Sequence, residues 1–444
     1  MKGPSNNKAC GIDGIIYEHL KYSGKLLEKH LCNLFSMIFD KCVTPNVWKA
    51  SMIIPLHKGG SQPKTECDAY RGISLISCVC KVFEKLLDCR IDERLNNFMN
   101  AQHMAYQKNL NSMFASFDLQ EVIHYYIERH SAVIVTFLDS MKAFNTVSHN
   151  GLKVKLYELG ITCKMWNLLD KMYSNLKRCV RCNNQTSRYF DLSRCIRQGS
   201  ALSAKLCLIC NDELINILSK SGKDAIMVDL NVGCPVQADD IALISSNVPF
   251  MQSVIDICVQ YSKRWKFTFS PVKSQVLMKF TKHTMHINLP LDNNIIPECK
   301  TLKHVGIILE NGFNSTERTI AACSLIRLLS MSIIKQGIHP SVMNPIVCSK
   351  IILQLCYTKA LYGCELWNNL TTNEILLPER AHIYVCKYVQ GFPKLTRTDK
   401  CTTLLGWTSI EFYIDSKKLL FLGRLCNMPS RFLPKQIFIT RLLL

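Results

Sequence analysis

The amino-acid sequence predicts a mixed α+β fold, and three observations support that prediction. Continuous apolar and β-branched runs such as residues 132–138 are typical of strands buried on both faces. Elsewhere apolar residues recur at helical spacing, and the C-terminal part of the chain is predicted to be helical. With 444 residues, 48% of them hydrophobic, the chain is long enough for about two or three domains and a sizeable core.

The predicted helices and strands alternate along most of the chain before the helical C-terminal part begins. Apolar residues at helical spacing predict helices over residues 18–39, 76–95, 116–129, 150–175, 201–217 and 249–265. Apolar and β-branched runs predict strands at residues 48–56, 132–138, within 266–282 and at 301–307, and a basic hairpin ending near 188. No internal repeat and no low-complexity linker interrupts this order.

The chain is strongly basic, because 54 Lys and Arg residues stand against 34 Asp and Glu residues, a net charge of +20. This excess predicts a polyanionic partner, either nucleic acid or an acidic membrane surface. No apolar run reaches transmembrane length; the best candidate, residues 351–364, is too short and contains Lys359. The N-terminus lacks the apolar core of a signal peptide. We therefore expect an intracellular protein of the nucleus or cytoplasm, with no membrane partner.

Cysteine is abundant, with 23 residues in the chain. Because the chain is large and shows no secretory signal, these residues favour a reduced compartment over a disulfide scaffold. Two Cys-x-x-Cys pairs, Cys179/Cys182 and Cys207/Cys210, raise the alternative of a zinc site. The second pair falls in the predicted apolar helix 201–217, one turn apart among core residues. We therefore expect no zinc.

Residues 236–244 hold two adjacent carboxylates between apolar, strand-like flanks. Burying the like charges of Asp239 and Asp240 is unfavourable unless a cation or water neutralises them. One interpretation is an exposed hairpin turn, because Asp is a common turn residue. The other is a Mg²⁺ site, because a hard cation prefers carboxylate oxygens. Asp139, directly after the buried run 132–138, is a further candidate for a catalytic or metal-binding group.

Three ordered motifs favour the metal site over a plain turn. They are Phe137-Leu138-Asp139-x-x-Lys142-Ala143-Phe144, Arg197-Gln198-Gly199 and Ala238-Asp239-Asp240. In this order they resemble the reverse transcriptase domain of non-long-terminal-repeat (LINE-type) retrotransposons. The resemblance runs through nearly the whole chain and includes Gly11-x-Asp13-Gly14, Ile54-Pro55-Leu56-x-Lys58, Tyr70-Arg71-x-Ile73-Ser74-Leu75, Lys273-Ser274, Val305-Gly306 and Tyr362-Gly363-x-Glu365-x-Trp367. One such motif is a weak signal, but an ordered set is a strong one.

The resemblance implies an α+β right-hand polymerase with fingers, a palm built on an antiparallel sheet, and a helical thumb. The fingers would comprise residues 1–128, the palm 129–312, and the thumb with a C-terminal extension 313–444. Part of residues 151–190 is assigned to either the palm or the fingers. The implied activity is RNA-directed DNA polymerisation, in which dNTPs extend the 3′ end of a DNA primer along an RNA template.

The implied chemistry is nucleotidyl transfer assisted by Mg²⁺. Two ions about 3.5–4 Å apart suit an in-line displacement at the α-phosphorus. Asp139 and Asp239 would bridge both ions, with Asp240 beside them. One ion would lower the pKa of the primer 3′-hydroxyl, and the other would stabilise the pyrophosphate leaving group.

Three cationic residues receive phosphate-binding roles from the same resemblance. Lys58 and Arg71 would clamp the triphosphate, where a fixed positive charge offsets developing negative charge. Lys273 would assist the leaving group. The alternative for each of the three is an ordinary solvated charge on the surface.

Three further residues would contact the incoming nucleotide. Phe144 would stack under the sugar and exclude a 2′-hydroxyl, which selects deoxynucleotides. Gln198 and Gly199 would let the backbone approach the nucleotide closely. For Phe144 the alternative is a core aromatic beside a buried strand.

Five positions depart from the family pattern, and none of them is a metal ligand in this scheme. Gln237 stands where the family has an aromatic residue directly before Ala-Asp-Asp. The other departures are Gly72 for Pro, Gln107 for Arg, Asn145 for Asp and Ala204 for Pro. The chain also shows no endonuclease segment before these motifs and no zinc knuckle after them, so we expect a fragment of a longer protein.

The leading hypothesis is therefore a Mg²⁺-dependent RNA-directed DNA polymerase. A rival is a catalytically degenerate nucleic-acid-binding protein that keeps the fold and the charge. The intact carboxylates favour the enzyme, whereas the five departures favour the rival. A protein of the membrane surface has only the basic charge to support it.

Overall fold

The computed structural model describes residues 6–60, 62–95, 99–141, 147–192, 194–197, 199–279, 287–310, 316–368 and 370–444. The described chain is a mixed α+β structure that divides into two compact units. The first unit comprises Met1–Tyr106, Asp139–Gly222 and Ile255–Ser270. The second unit comprises Gln107–Leu138, Lys223–Val254 and Pro271–Leu444. Each unit is therefore assembled from segments that are distant in sequence.

Helices occur throughout the described chain and are dense in its C-terminal part. The α-helices are α1 (Tyr17–Tyr22), α2 (Gly24–Lys41), α3 (Asn46–Lys49), α4 (Cys78–Leu95), α5 (Ser112–Glu128), α6 (His149–Glu158), α7 (Cys163–Tyr173), α8 (Ser203–Ser221), α9 (Val248–Trp265), α10 (Thr316–Lys335), α11 (Pro345–Ile352), α12 (Thr358–Ala360), α13 (Thr372–Val389), α14 (Thr398–Leu405), α15 (Ile410–Cys426) and α16 (Leu433–Leu443). Short 3₁₀ or π-helical segments are Cys67–Ala69, Leu353–Tyr357 and Cys364–Leu366.

Strands are short, and the described ones form sheets and hairpins within each unit. They are β1 (Ala50–His57), β2 (Tyr70–Leu75), β3 (Val133–Asp139), β4 (Leu176–Cys182), β5 (Gln185–Thr186), β6 (Phe190–Leu192), β7 (Ile226–Met227), β8 (Leu230–Asn231), β9 (Val236–Gln237), β10 (Asp240–Ser245), β11 (Gln275–Lys279), β12 (Pro290–Leu291), β13 (Asn294–Ile295), β14 (Thr301–His304) and β15 (Ile307–Glu310).

The first unit contains a sheet in the order β2-β1-β4-β5, with β6 also paired to β4. β1 runs antiparallel to β2 and parallel to β4. A core of apolar side chains from α4, α7 and α8 packs in this unit, including Phe83, Leu87, Leu168 and Leu206. The buried face of α4 places side chains at helical spacing in that core, which holds the helix in place.

The second unit contains a four-stranded sheet in the order β11-β3-β10-β9. The pairs β11–β3 and β9–β10 are antiparallel. Residues 133–136 of β3 are buried, as are residues 241–245 of β10, so the middle strands of this sheet are covered on both faces. The helices of the C-terminal part have a core of their own, which includes Ile326, Tyr357, Val385 and Trp407.

Several predicted elements are confirmed, and others are wrong in their extent. The strand predicted at residues 132–138 is β3, and the apolar helix predicted at 201–217 is α8. The helix predicted over 150–175 is wrong, because the chain forms α6 and α7 with Gly160 between them at a φ of +76°. That left-handed conformation ends a helix, and glycine adopts it without a Cβ clash.

Two further elements differ from the prediction. The strand predicted at residues 301–307 is the hairpin β14–β15, whose turn contains Gly306 at a φ of +93°. The helix predicted at 18–39 is interrupted between α1 and α2 at Ser23. Across the described ranges, no helix combines the length and the apolar composition needed to span a bilayer.

Candidate active site

Asp239 and Asp240 lie at the tight turn between β9 and β10. Gln237 pairs with Asp240, so the turn itself consists of Ala238 and Asp239. Asp239 is half-buried and Asp240 is exposed, whereas the rest of β10 is buried. The two interpretations of the carboxylate pair are therefore compatible, because a hairpin turn presents both acidic side chains at the end of a rigid strand.

Ala238 has a φ of +62°, a backbone conformation that residues other than glycine rarely adopt. Backbone strain of this kind is typical of functional sites. A second turn of the same unit shows that strain alone is not sufficient evidence. Val228 and Asp229 connect β7 to β8 in the same way, with Val228 at a φ of +55°.

The feature that distinguishes the 238–239 turn is its place in the four-stranded sheet. β10, which begins at Asp240, lies next to β3, which ends at Asp139. Asp139 is half-buried, and its carbonyl oxygen accepts a hydrogen bond of 2.9 Å from the Ser270 N–H. The chain passes from the second unit into the first at this aspartate.

The chemistry of these three aspartates suits Mg²⁺, because they offer only carboxylate oxygens. Among the residues that the structure describes, no group of three or more His, Cys, Asp or Glu side chains lies close enough together to hold a metal ion. The Mg²⁺ site at Asp139, Asp239 and Asp240 thus stays a prediction.

Lys58 and Arg71 lie on the same face of the β1–β2 hairpin. Arg71 is directly opposite Leu56, and Lys58 follows Leu56 by two residues, so both cations share its side of the sheet. Both side chains are exposed. The Lys58 ammonium donates a hydrogen bond of 2.6 Å to the Asp68 carbonyl oxygen. Both cations thus lie at the β1–β2 hairpin, where Lys58 also holds the loop between the strands, and their joint binding of a triphosphate stays a prediction.

Arg197 and Gly199 both contact the β2–α4 region of the first unit. The Arg197 side chain is 1% exposed and donates to the Trp48 carbonyl oxygen at 2.6 Å and to Glu84 Oε1 at 3.0 Å. Gly199 has a φ of +111°, and a Cβ there would lie 2.5 Å from the Ser74 carbonyl oxygen. Close approach to β2 thus requires a glycine at position 199, whatever its role toward a nucleotide.

Two predicted substrate residues, Phe144 and Gln198, lie outside the described residues. Lys273 is exposed and precedes β11 by one residue, Ser274. β11 pairs with β3 such that Gln275 is opposite Phe137. Lys273 therefore stands near the start of a strand of the four-stranded sheet.

Gln237 forms an incomplete set of hydrogen bonds. Its Nε2 donates to the Ser112 hydroxyl at 3.4 Å, and that hydroxyl also interacts with the Tyr362 side chain. Within the described ranges, Gln237 Oε1 is buried and has no hydrogen-bond partner. A buried amide oxygen without a donor is destabilising by about 1–3 kcal/mol.

The other four departures from the family pattern lie at Gly72, Gln107, Asn145 and Ala204. Gly72 is part of β2, where a Cβ would lie 2.9 Å from Ile53 Cγ2. The Gln107 carbonyl accepts a bond of 3.3 Å from the Leu110 N–H, and Ala204 is half-buried in α8. Asn145 lies outside the described residues.

The Cys-x-x-Cys pairs occupy regular secondary structure. Cys207 and Cys210 lie in α8 as predicted, with Cys207 buried. Cys179 is buried and Cys182 is exposed in β4. Three residues apart on a strand, their side chains point to opposite faces.

Two residues that the sequence did not single out are hydrogen-bond partners of residues discussed above. Ser112, at the start of α5, is the partner of Gln237. Glu84 is the partner of Arg197 and is fully buried. A signal for Glu84 was present, because it lies on α4 at helical spacing from Cys80 and Leu87, on the face that enters the core.

A family model matches the part of the chain that contains these motifs. The model of the reverse transcriptase (RNA-dependent DNA polymerase) family matches residues 58–309, more than half of the chain. The chain belongs to the reverse transcriptase family. The matched stretch contains the two Asp-bearing motifs and Arg197-Gln198-Gly199, so the resemblance predicted from these motifs is confirmed.

The reverse transcriptase relatives come from non-long-terminal-repeat retrotransposons. The probable RNA-directed DNA polymerase from transposon X-element of Drosophila melanogaster is 24% identical over 408 residues, 87% of this chain and 42% of that protein. The RNA-directed DNA polymerase from mobile element jockey of the same organism is 22% identical, over 63% of this chain and 31% of that protein. The Pol polyprotein from element R2 of Bradysia coprophila is 23% identical, over 57% and 28%.

The chain thus spans less than half of the length of these relatives. Among solved structures, the apo telomerase from Candida tropicalis truncated from its C-terminal domain aligns with a TM-score of 0.42 and 11% identity, over 60% of this chain and 54% of that chain. A likeness of that size is too low to indicate a shared fold.

Proposed function

We propose that the chain is an RNA-directed DNA polymerase domain that adds dNTPs to a DNA 3′ end along an RNA template. The observation that carries this proposal is the four-stranded sheet, in which the strand ending at Asp139 lies beside the strand beginning at Asp240. Membership of the reverse transcriptase family supports it. The net charge of +20 suits partners that are polyanions.

In this proposal Asp139, Asp239 and Asp240 are the metal-binding and catalytic residues. Bound Mg²⁺ would assist nucleophilic attack by the primer 3′-hydroxyl and neutralise charge on the leaving group. The two residues at the β9–β10 turn are held by a strand whose other side chains are buried. Such support keeps carboxylates in a fixed geometry and so lowers the reorganisation needed during the reaction.

Binding of the dNTP is assigned to residues that would contact its phosphates, its sugar or the nucleotide as a whole. Lys58 and Arg71 would bind the triphosphate, and their common face on the β1–β2 hairpin supports a joint role. Lys273 would assist the leaving group, while Phe144 would select the sugar. Gln198 and Gly199 would approach the incoming nucleotide, and the exposure of Gly199 is compatible with this role. 

The right-hand arrangement is part of the proposal. Fingers would comprise residues 1–128, the palm 129–312 and the thumb with a C-terminal extension 313–444. Part of residues 151–190 would belong to either the palm or the fingers. Support comes from the four-stranded sheet, whose strands all lie between Val133 and Lys279. The described residues after 315 are helical or irregular, as a helical thumb requires.

A catalytically degenerate nucleic-acid-binding protein is the second candidate, and one observation favours it. Gln237, directly before the carboxylate turn, has a buried amide oxygen without a hydrogen-bond partner among the described residues. A flexible, poorly satisfied side chain next to the reacting groups is expected to reduce the rate. This candidate keeps nucleic-acid binding but has no polymerase activity.

Primer extension separates the two candidates. The purified chain is incubated with poly(rA)/oligo(dT), dTTP and Mg²⁺, alongside Asp239→Asn and Asp229→Asn. Asp229 is a matched control, because it occupies the same position of a two-residue hairpin turn with a positive φ before it. Extension by the wild type and by Asp229→Asn, but not by Asp239→Asn, supports the enzyme. Binding of the template–primer without extension supports the degenerate protein.

A further inference from the structure

A buried carboxylate on α4 connects the nucleotide-side segment 197–201 to the rest of the first unit. Glu84 Oε1 accepts a hydrogen bond of 3.0 Å from Arg197 Nη2. Glu84 Oε2 accepts from the Ser200 hydroxyl at 2.7 Å and from the Ala201 N–H at 2.9 Å. The Glu84 side chain is fully buried, so none of these bonds competes with bulk water.

These contacts hold the segment on both sides of position 198. Arg197 precedes that position, whereas Ser200 and Ala201 follow it, and all three bind the same carboxylate. Gly199 is packed against the Ser74 carbonyl oxygen of β2. β2 also carries Arg71, the proposed triphosphate ligand.

Burying the charged pair of Glu84 and Arg197 is unfavourable unless hydrogen bonds replace the lost hydration. A buried ion pair adds little net stability compared with apolar residues, because both charges lose their hydration. Here every oxygen of the carboxylate is used, and Arg197 is further bonded to the Trp48 carbonyl oxygen at 2.6 Å. Arg197 Nε is buried and has no hydrogen-bond partner among the described residues, but the bonds that Glu84 accepts still fix the relative positions of Arg197, Ser200 and Ala201.

We propose that Glu84 is a positioning residue for the incoming dNTP. By bonding to Arg197, Ser200 and Ala201 it preforms the backbone of Arg197 and of residues 199–201, so that the nucleotide binds without reordering them. The inference rests on the proposed polymerase function. It assigns to Glu84 an effect on nucleotide affinity rather than on the metal-binding carboxylates.

The test uses steady-state primer extension by the full chain with dTTP as the varied substrate. In Glu84→Gln, one carboxylate oxygen becomes an NH₂ group that faces the existing donors of the segment. We expect the dTTP KM to rise about tenfold, because the apparent affinity for a ligand falls in proportion to the fraction of molecules that hold the binding-competent conformation. The kcat at saturating dTTP and the Kd for template–primer should change far less.

Two further variants keep the test decisive. Ser200→Ala removes one bond to Glu84 without touching the buried charge, so it should fold and raise the KM in the same direction by a smaller factor. Asp92→Asn is the matched control. Asp92 is also on α4 and pairs with Lys205 of α8, but none of its described contacts reaches segment 197–201. Its KM for dTTP should equal that of the wild type.

The outcomes are distinct. An unchanged dTTP KM in Ser200→Ala and in folded Glu84→Gln, with an active wild type, overturns the inference and leaves the polymerase proposal intact. An equal rise in Asp92→Asn also overturns it, because any loosening of α4 would then suffice. A folded wild type that extends no primer overturns the polymerase proposal, and the inference falls with it.

Discussion

Gln237 donates a hydrogen bond of 3.4 Å from Nε2 to the hydroxyl of Ser112. This contact joins the strand before the carboxylate turn to the first residue of α5. It satisfies only the amino end of the amide, because Oε1 has no partner in the described part of the chain. Among the described residues, the side chain of Gln237 is thus held by one long hydrogen bond, while its backbone is paired with Asp240.

Replacing Gln237 by Tyr or Phe is therefore expected to raise the rate of primer extension. An aromatic ring supplies a flat packing surface under the primer terminus and removes the unsatisfied amide oxygen. The Mg²⁺ requirement should not change, since the carboxylates are untouched. Gln237→Leu is the control, because it removes the amide without adding a ring. Equal or lower activity in both folded aromatic variants would mean that Gln237 is well accommodated.

Replacing Asp139 by Ala or Asn should lower extension by several orders of magnitude, because a ligand shared by two Mg²⁺ ions is lost. Affinity for template–primer should persist, since it depends mainly on Lys and Arg contacts to phosphate. Gel-shift titration and primer extension on the same preparations measure the two quantities. Retained activity in Asp139→Ala would refute the two-metal assignment.

Replacing Phe144 by Val should raise incorporation of ribonucleotides relative to deoxynucleotides, because the space for a 2′-hydroxyl opens. The ratio of kcat/KM for UTP and dTTP is the measurement. Phe137→Val is a suitable control, since Phe137 is an aromatic of β3 whose ring packs against His304 with centroids 5.2 Å apart. A ratio that stays constant in Phe144→Val identifies Phe144 as an ordinary core aromatic.

Replacing Lys58 or Arg71 by Ala should raise the dNTP KM, because a cation that offsets triphosphate charge is lost. Lys64→Ala is the control, since Lys64 is an exposed cation in the same β1–β2 loop. Lys58 also bonds to the Asp68 carbonyl oxygen, so thermal unfolding must be measured for each variant. If Lys64→Ala raises the KM as much as the other two, the loop contributes only general positive charge.

Acid should destabilise the second unit through His382. Its Nε2–H donates to the Thr408 carbonyl oxygen at 3.0 Å, and the Tyr357 hydroxyl donates to its Nδ1 at 2.9 Å. Burial lowers the pKa of His382 to about 4. As the pH falls, His382 is protonated in the unfolded state before it is protonated in the folded state. The free energy of unfolding therefore has its full value above about pH 6.5 and decreases toward pH 4.

The expected loss over that range is about 3 kcal/mol. Denaturant unfolding at several pH values would measure it in the wild type and in His382→Gln, which cannot take up the proton. The variant should have lower stability at neutral pH but a flatter pH dependence between 6.5 and 4. Identical slopes in the two proteins would contradict the assignment to His382.

The sequence by itself determined the family, the order of its motifs and the type of most elements. These depend on local patterns: the apolar run of β3, the helical spacing in α8, and the position of Asp139 and Asp239 after or between apolar flanks. Such patterns specify which face of a strand or helix is buried without reference to distant residues.

The tertiary structure alone decided which distant residues become partners. Arg197 and Glu84 are 113 residues apart, and Gln237 and Ser112 are 125 residues apart, yet each pair is in contact. Neither pair follows from local periodicity, because a buried polar side chain is paired by whatever donor or acceptor the packing brings to it. For the same reason, the adjacency of β3 and β10, on which the proposed active site depends, is a property of the folded sheet.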